Sequence, residues 1–230
     1  MNQFKVLFDR NGSPLDIDYI KQKVLEFSES YETVVKEIIT NSVTLNRDTF
    51  RSNIATLMPP FRMTRNPKYA FYGVKIQGGI VSDPKRALDI CWKQARNELK
   101  HLKKHISQNT SERSRAVLEL SPELRNYVIG KVSEVFVKLK WTSVEDSDIG
   151  PVGASKVLFA VLPEIALPVD NAEWDAVFRT CNYGKVLLTM IDEVNEWEVE
   201  SRTRFESLDS PPTTVPSIYN VMAMEARPRE

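Results

Sequence analysis

The sequence predicts an all-α protein, and three observations carry that prediction. Apolar residues recur at helical spacing through most of the 230 residues, as in Ile17, Ile20, Val24 and Phe27. Several of these runs open on helix-start signals, such as Ser82-Asp83-Pro84 and Ser121-Pro122-Glu123. Strand-like alternation is confined to Phe4 to Phe8, a short strand or extended arm closed by the turn signal Asp9-Arg10-Asn11-Gly12.

The elements follow in order. A helix starts near Asp16, and a second spans Ser30 to Thr40 with Val34, Val35, Ile38 and Ile39 inward. A third follows Asn46, sets Phe50, Ile54 and Leu57 on one side, and ends at Met58-Pro59-Pro60. Residues 59–81 are irregular, and there Arg62, Arg65, Lys68 and Lys75 alternate with Phe61, Tyr69, Phe71 and Tyr72. Such interleaving can track phosphates and stack on bases. It equally fits a loop that crosses the core with its aromatics buried.

A long helix is expected from Ser82 to Ile106, with Leu88, Trp92, Ala95, Leu99, Leu102 and Ile106 as one seam. Lys93, Arg96, Lys100, Lys103 and Lys104 fall on its other side, a nucleic-acid face or a solvated one. His101 and His105 share a side at a spacing that binds metal but lack a third ligand nearby, which leaves a metal hydrolase poorly supported. After a polar linker at 107–111, a helix from Ser121 turns Leu124, Tyr127, Val128, Val132, Val135, Phe136 and Leu139 inward and ends at Trp141. A last long helix runs from Lys185 to Arg202, and residues 206–230 form an extended tail. The sum is about nine helices, in an N-terminal lobe over 1–115 and a C-terminal lobe over 120–205.

Composition sets bounds. Lys plus Arg number 31 and so do Asp plus Glu, so nucleic-acid binding has to rest on a local patch. Cys91 and Cys181 make no CxxC and no metal spacing, and read as two buried thiols in a reducing compartment. No apolar run suits a signal peptide or a bilayer span. The expectation is an intracellular monomer, cytoplasmic or nuclear, with no membrane partner, no cofactor and no metal.

The stretch from Ile149 to Arg179 organises the rest. Gly150 and Gly153 flank Pro151-Val152, which reads as a tight turn. Ala154 to Leu162 is almost wholly apolar, a buried helix stopped by Pro163. Pro168 leads to Asp170, which opens an amphipathic helix with Trp174, Val177 and Phe178 on one side. Asp170 with Glu173 is close to a capping box, and Lys156 either snorkels out of the core or sits in it with a depressed pKa.

That order resembles the core motif of the helix-hairpin-helix DNA glycosylases. The resemblance is carried by Val152-Gly153, Lys156, Val157 to Leu162, and Pro168-Val169-Asp170. Trp174, four residues after the aspartate, is similar to the oxoguanine-type members. The resemblance implies a two-lobed helical bundle with a cleft, DNA as partner, and excision of a flipped-out damaged or modified base. It implies Asp170 as the assisting carboxylate and Lys156 as the amine of a lyase. Gly150, Val152, Gly153 and Ser155 would hold phosphates through backbone N–H groups, and Trp174 and Phe178 would wall the base pocket. The chain departs from the family in three places. Ile-Gly-Pro-Val-Gly stands for Leu-Pro-Gly-Val-Gly, the interval from lysine to aspartate is 14, and Ala172 replaces a usual histidine. The competing reading is a non-catalytic helical module that binds nucleic acid or a protein partner.

Overall fold

Helices hold most of the chain, as the apolar periodicity requires. The computed structural model describes residues 5–27, 29–205 and 213–227. Phe4 and Ser210-Pro211-Pro212, read above as parts of an arm and a tail, lie outside the described residues.

The first three helices are α1 (Ile17–Phe27), α2 (Glu29–Asn41) and α3 (Arg47–Leu57). Asn46 caps α3 by accepting the N–H groups of Asp48 and Thr49, while the Thr49 hydroxyl takes the Asn46 N–H. The irregular loop that follows holds an antiparallel hairpin absent from the sequence reading, β1 (Lys75–Gln77) and β2 (Ile80–Ser82). Its turn is Gly78-Gly79, both with positive φ, the conformation such two-residue hairpins demand. Strands of three residues are too short for alternation to show.

The hairpin displaces the start of the long helix. Ser82 closes β2, so α4 runs from Ala87 to Asn109 and not from 82 to 106. Asp83 still serves it, accepting the Leu88 N–H at 3.0 Å. At the other end the expected polar linker is mostly helix, because Asn109 and Thr110 bond the carbonyls of His105 and Ile106. Lys103, placed above on the solvated side, is buried and paired with Glu164. Tyr127, expected inward, is exposed, and its hydroxyl meets His101 Nε2 at 3.1 Å.

A single turn, Arg113–Arg115, and the short α5 (Ala116–Glu119) lead to α6 (Pro122–Lys140), capped by Ser121 as expected. A second small hairpin, β3 (Ser143–Val144) and β4 (Ser147–Asp148), joins α6 to α7 (Gly150–Val161). The chain then makes a π-helical turn at Glu173–Phe178 and forms α8 (Tyr183–Ser201). Cys181 lies in the bend before α8 and is exposed, so only Cys91 is the buried thiol foreseen.

The tail is also corrected. Residues 215–225 are not extended but form α9 (Val215–Glu225). Thr214 and Ser217 make a reciprocal capping box and Pro216 sits in the first turn, which nucleates a helix from an unlikely composition. α9 packs on α1 and on the π-turn, burying Ile218, Tyr219, Val221 and Met222.

One continuous buried cluster runs from Val6 to Ala223 and includes residues from every helix but α5's polar end. α7 lies at its centre, packed between α3 and α6, and is apolar all round as a central helix must be. The turn predicted at 150–153 is instead the first turn of α7. Proline is at home there, and the reversal comes one residue earlier, at Gly150 with φ +70°. Gly153 serves a different purpose. A Cβ there would lie 2.9 Å from Ile149 Cγ2 and 3.1 Å from Phe71 Cε2. Gly153→Ala is therefore expected to lower unfolding free energy by about 1–3 kcal/mol through overpacking. A urea midpoint equal to wild type would show that Phe71 moves aside without cost.

Among the described residues, no helix is long and apolar enough to cross a membrane.

Candidate functional site

α7 places Lys156 on its buried side, and the Pro168-Val169 connector brings Asp170 back to meet it. Ser155 makes that return possible. Its hydroxyl donates to the Val169 carbonyl at 3.1 Å and accepts the Val169 N–H at 3.0 Å, so it clamps the connector to α7. The Lys156 ammonium donates to Asp170 Oδ1. Lys156 is 1% exposed and does not snorkel, whereas the Asp170 side chain is 28% exposed and opens on solvent. The carboxylate is thus the accessible member of the pair.

Three further groups complete the cluster. The Phe61 ring lies over Lys156 Nζ, 3.9 Å from its centroid, a cation–π contact. Glu173 is 1% exposed, and its Oε2 accepts the Asp170 N–H. Arg227, just past α9, bonds Glu173 Oε1 and reaches Asp170 Oδ2 at 3.3 Å. Half of the expected capping box is therefore present, through Glu173. The other half is not, because the carboxylate of Asp170 bonds Lys156 and Arg227 in place of a helix N–H.

Burial pulls the Lys156 ammonium below its ordinary range, against the opposing pull of Asp170 and, more weakly, of Glu173. Burial also pushes the Glu173 carboxyl up to about 7, against the stabilising charge of Arg227. A buried amine beside a carboxylate, with a second carboxyl near neutrality, is an arrangement suited to nucleophilic and proton-transfer chemistry.

The other predicted residues are placed as follows. Gly150 and Val152 are partly exposed at the start of α7, where helix geometry leaves their N–H groups without intrahelical partners. Gly153 and Ser155 are buried, and the Ser155 hydroxyl is committed to the connector, so neither side of that pair faces solvent. Trp174 is a core residue, 5% exposed and packed against Phe136 and Tyr183. Its Nε1 has no hydrogen-bond partner among the described residues. Phe178 is half-buried against the same core.

The loop at 59–81 lies over this site. Phe61 covers Lys156, and Met63 and Phe71 approach Gly153. The loop's cations, Arg62, Arg65, Lys68 and Lys75, are all exposed, as are Tyr69 and Tyr72. The two phenylalanines pack, as the core-crossing reading expects, and the two tyrosines and four cations face water. β3–β4 leans on this loop through the Ser147 hydroxyl, which bonds the Lys68 carbonyl, and through a Lys85–Glu145 ion pair at 3.3 Å. Trp141, at the end of α6, is 66% exposed with Lys140 Nζ 4.7 Å from its ring centroid.

Sequence reasoning missed Phe61 and Arg227 as members of the site. No sequence signal marks them, since they come from 95 residues before Lys156 and 57 after Asp170. Glu173 was visible as the third residue after an N-cap candidate. The rings of His101 and His105 meet edge to face with centroids 4.3 Å apart, but among the described residues no three metal-ligating side chains group around one point. No protein-family model, no curated protein and no solved structure matches the chain.

Proposed function

We propose that the protein is a DNA glycosylase of the helix-hairpin-helix type, which flips out and excises a damaged or modified base. The observation that carries this reading is the Lys156–Asp170 pair. A buried ammonium of α7 is held against a partly open carboxylate, and the loop whose Phe61 covers the ammonium carries four exposed cations. In this reading the turn at Gly150 and the α7 that follows it are the hairpin and second helix of the motif.

The chemistry follows from the residues. Phosphates of a flipped nucleotide dock on the N–H groups of Gly150 and Val152, at the positive end of α7. Arg62, Arg65, Lys68 and Lys75 track the strand, while Tyr69, Tyr72 and Trp141 offer rings for stacking. The bond from sugar to base breaks through a cation-like sugar, which the Asp170 carboxylate stabilises. The Lys156 amine, its proton taken up by a nearby carboxylate, attacks C1′. The base leaves with the electrons of the glycosidic bond and takes a proton. The C1′–O4′ bond then breaks, O4′ takes a proton, and the nitrogen lone pair forms the C=N bond; the resulting Schiff base permits strand cleavage, which is lyase activity.

The alternative, a non-catalytic helical nucleic-acid or protein-interaction module, is favoured by one specific observation. Trp174 is packed into the core and Lys156 is fully paired, so the pair can serve as a buried structural tie.

The experiment that separates them is release of free base. The protein is incubated with DNAs carrying oxidised, alkylated, deaminated and hypermodified bases, and the freed base is detected by mass spectrometry. Borohydride is added to a parallel set. The expected result is release from one class of lesion, with a covalent protein–DNA adduct that maps to Lys156. DNA binding without release across the panel establishes the module.

A further inference from the structure

Glu173 and Arg227 have no part in the scheme above, yet both point into the Lys156–Asp170 pair. Glu173 is almost wholly buried, an expensive place for a carboxyl unless it has work there. Its two oxygens divide between two partners. Oε2 takes the backbone N–H of Asp170 and Oε1 takes the Arg227 guanidinium. Arg227 then touches the second oxygen of Asp170, whose first is held by Lys156. The result is a row of four alternating charges, Lys156, Asp170, Arg227 and Glu173, whose last three close into a ring where Glu173 takes the Asp170 N–H.

The end of α9 is anchored where the ring needs it. Glu225 pairs with Lys23 of α1 at 3.7 Å. The N–H of Ala226 returns to the Met222 carbonyl at 3.0 Å, and that of Arg227 to the Met224 carbonyl at 3.3 Å. Arg227 is thus delivered from the C-terminal helix by contacts that do not involve the site itself. Among the described residues, Tyr31 of α2 also faces the ring. It accepts the Asn220 amide at 2.9 Å and feels the charges of Glu173 and Asp170.

We propose that Glu173 and Arg227 are positioning residues, which fix the Asp170 carboxylate between two cations and set how readily the Lys156 ammonium gives up its proton. This rests on the reading of Lys156 as the nucleophile. The physical argument is Coulombic. Glu173 is a negative charge that favours the ammonium, and Arg227 a positive charge that disfavours it. Glu173 titrates near neutrality. As the pH rises through that point, Glu173 gains its charge and holds the proton on Lys156 more firmly. Below it, the ring keeps a net positive charge and the amine is released more easily. The C-terminal helix thereby adjusts the chemistry of a lysine 71 residues away in sequence.

The test reads Lys156 directly and needs no DNA. The full chain is labelled with 13Cε-lysine, Lys156 is assigned by its loss in Lys156→Met, and its resonance is followed with pH. Three variants are compared with wild type, each checked by circular dichroism: Glu173→Gln, Arg227→Met and Arg227→Lys. The expected shifts have opposite signs. Glu173→Gln lowers the Lys156 midpoint and Arg227→Met raises it, each by roughly half to one pH unit or more. Arg227→Lys stays near wild type because it keeps the charge. Shifts of one sign in both neutral variants, or none, overturn the proposal. A merely structural pair would melt earlier in every variant without this sign pattern.

Wild type supplies a second readout that survives any folding failure. The Lys156 resonance should carry a smaller step at the pH where the 13Cδ signal of Glu173 titrates. The absence of that step also overturns the proposal. Base release measured beside it keeps the two ideas distinct. Opposite shifts without base release leave the positioning pair standing and the glycosylase falling, and release without the shifts does the reverse.

Discussion

Asp170→Asn is expected to cut base release by about a hundred- to ten-thousand-fold while DNA binding stays close to wild type. The substitution keeps the shape of the side chain and removes its charge. Asp170 Oδ1 is the hydrogen-bond partner of the Lys156 ammonium, and Oδ2 meets Arg227. Asparagine keeps one acceptor oxygen for one of the two cations and turns an NH2 donor toward the other, and it offers no negative charge to a cation-like sugar. A second consequence separates chemistry from folding. Lys156 is 1% exposed, and without its carboxylate it is a buried ammonium short of its principal partner. Stability should fall as well, by less than for a fully enclosed pair because Asp170 is partly open to water. Adding Lys156→Met to this background replaces the ammonium by an apolar chain of similar length. That double variant should recover stability and remain inactive. Single-turnover release and thermal melting, measured on the same preparations, decide the matter. A well-folded Asp170→Asn protein releasing base at the wild-type rate removes Asp170 from the mechanism.

Glu164→Ala is expected to be the most damaging single change away from the site, costing about 3–5 kcal/mol. Glu164 follows α7 directly and is 1% exposed. It accepts the Lys103 ammonium of α4, and its other oxygen lies 3.4 Å from Arg113. Arg113 in turn bonds the Ile39 carbonyl and the Ser42 hydroxyl at the end of α2. One carboxylate therefore ties α2, α4 and the 113–115 turn to the end of the central helix. Its removal leaves Lys103 buried without its carboxylate. Burial already pulls that ammonium below its ordinary range, so the variant can shed the proton, which bounds the loss. For a chain of this size the melting temperature should drop by roughly 10 °C. Lys103→Met in the same background should return part of it, since an apolar replacement removes the stranded charge. A melting curve unchanged by Glu164→Ala would show that water reaches Lys103.

These two carboxylates also show where sequence reading stops. The periodicity of Leu88, Trp92, Ala95, Leu99, Leu102 and Ile106 placed a helix and its buried side correctly, because burial repeats every 3.6 residues whatever lies opposite. The same pattern put Lys103 in water, since a lone lysine facing away from the seam normally is solvated. Only the arrival of Glu164 from another element, 61 residues on, makes burial tolerable there. The helix start at 82–84 failed for a similar reason. A two-glycine turn paired Lys75–Gln77 with Ile80–Ser82 and drew Ser82 into a strand, so the helix began later, at Ala87.

By itself the sequence determined the mostly helical class, the helix starts after Asn46 and Ser121, and the apolar run of α7. Each of these depends on neighbours within a few turns, where propensity, capping and periodicity act. Tertiary structure alone decided that Ser155 clamps the connector, that Phe61 covers the lysine and that α9 sends Arg227 into the ring. Those contacts join residues 14 to 57 or more positions apart, and nothing local encodes a meeting that only the packing of whole helices brings about.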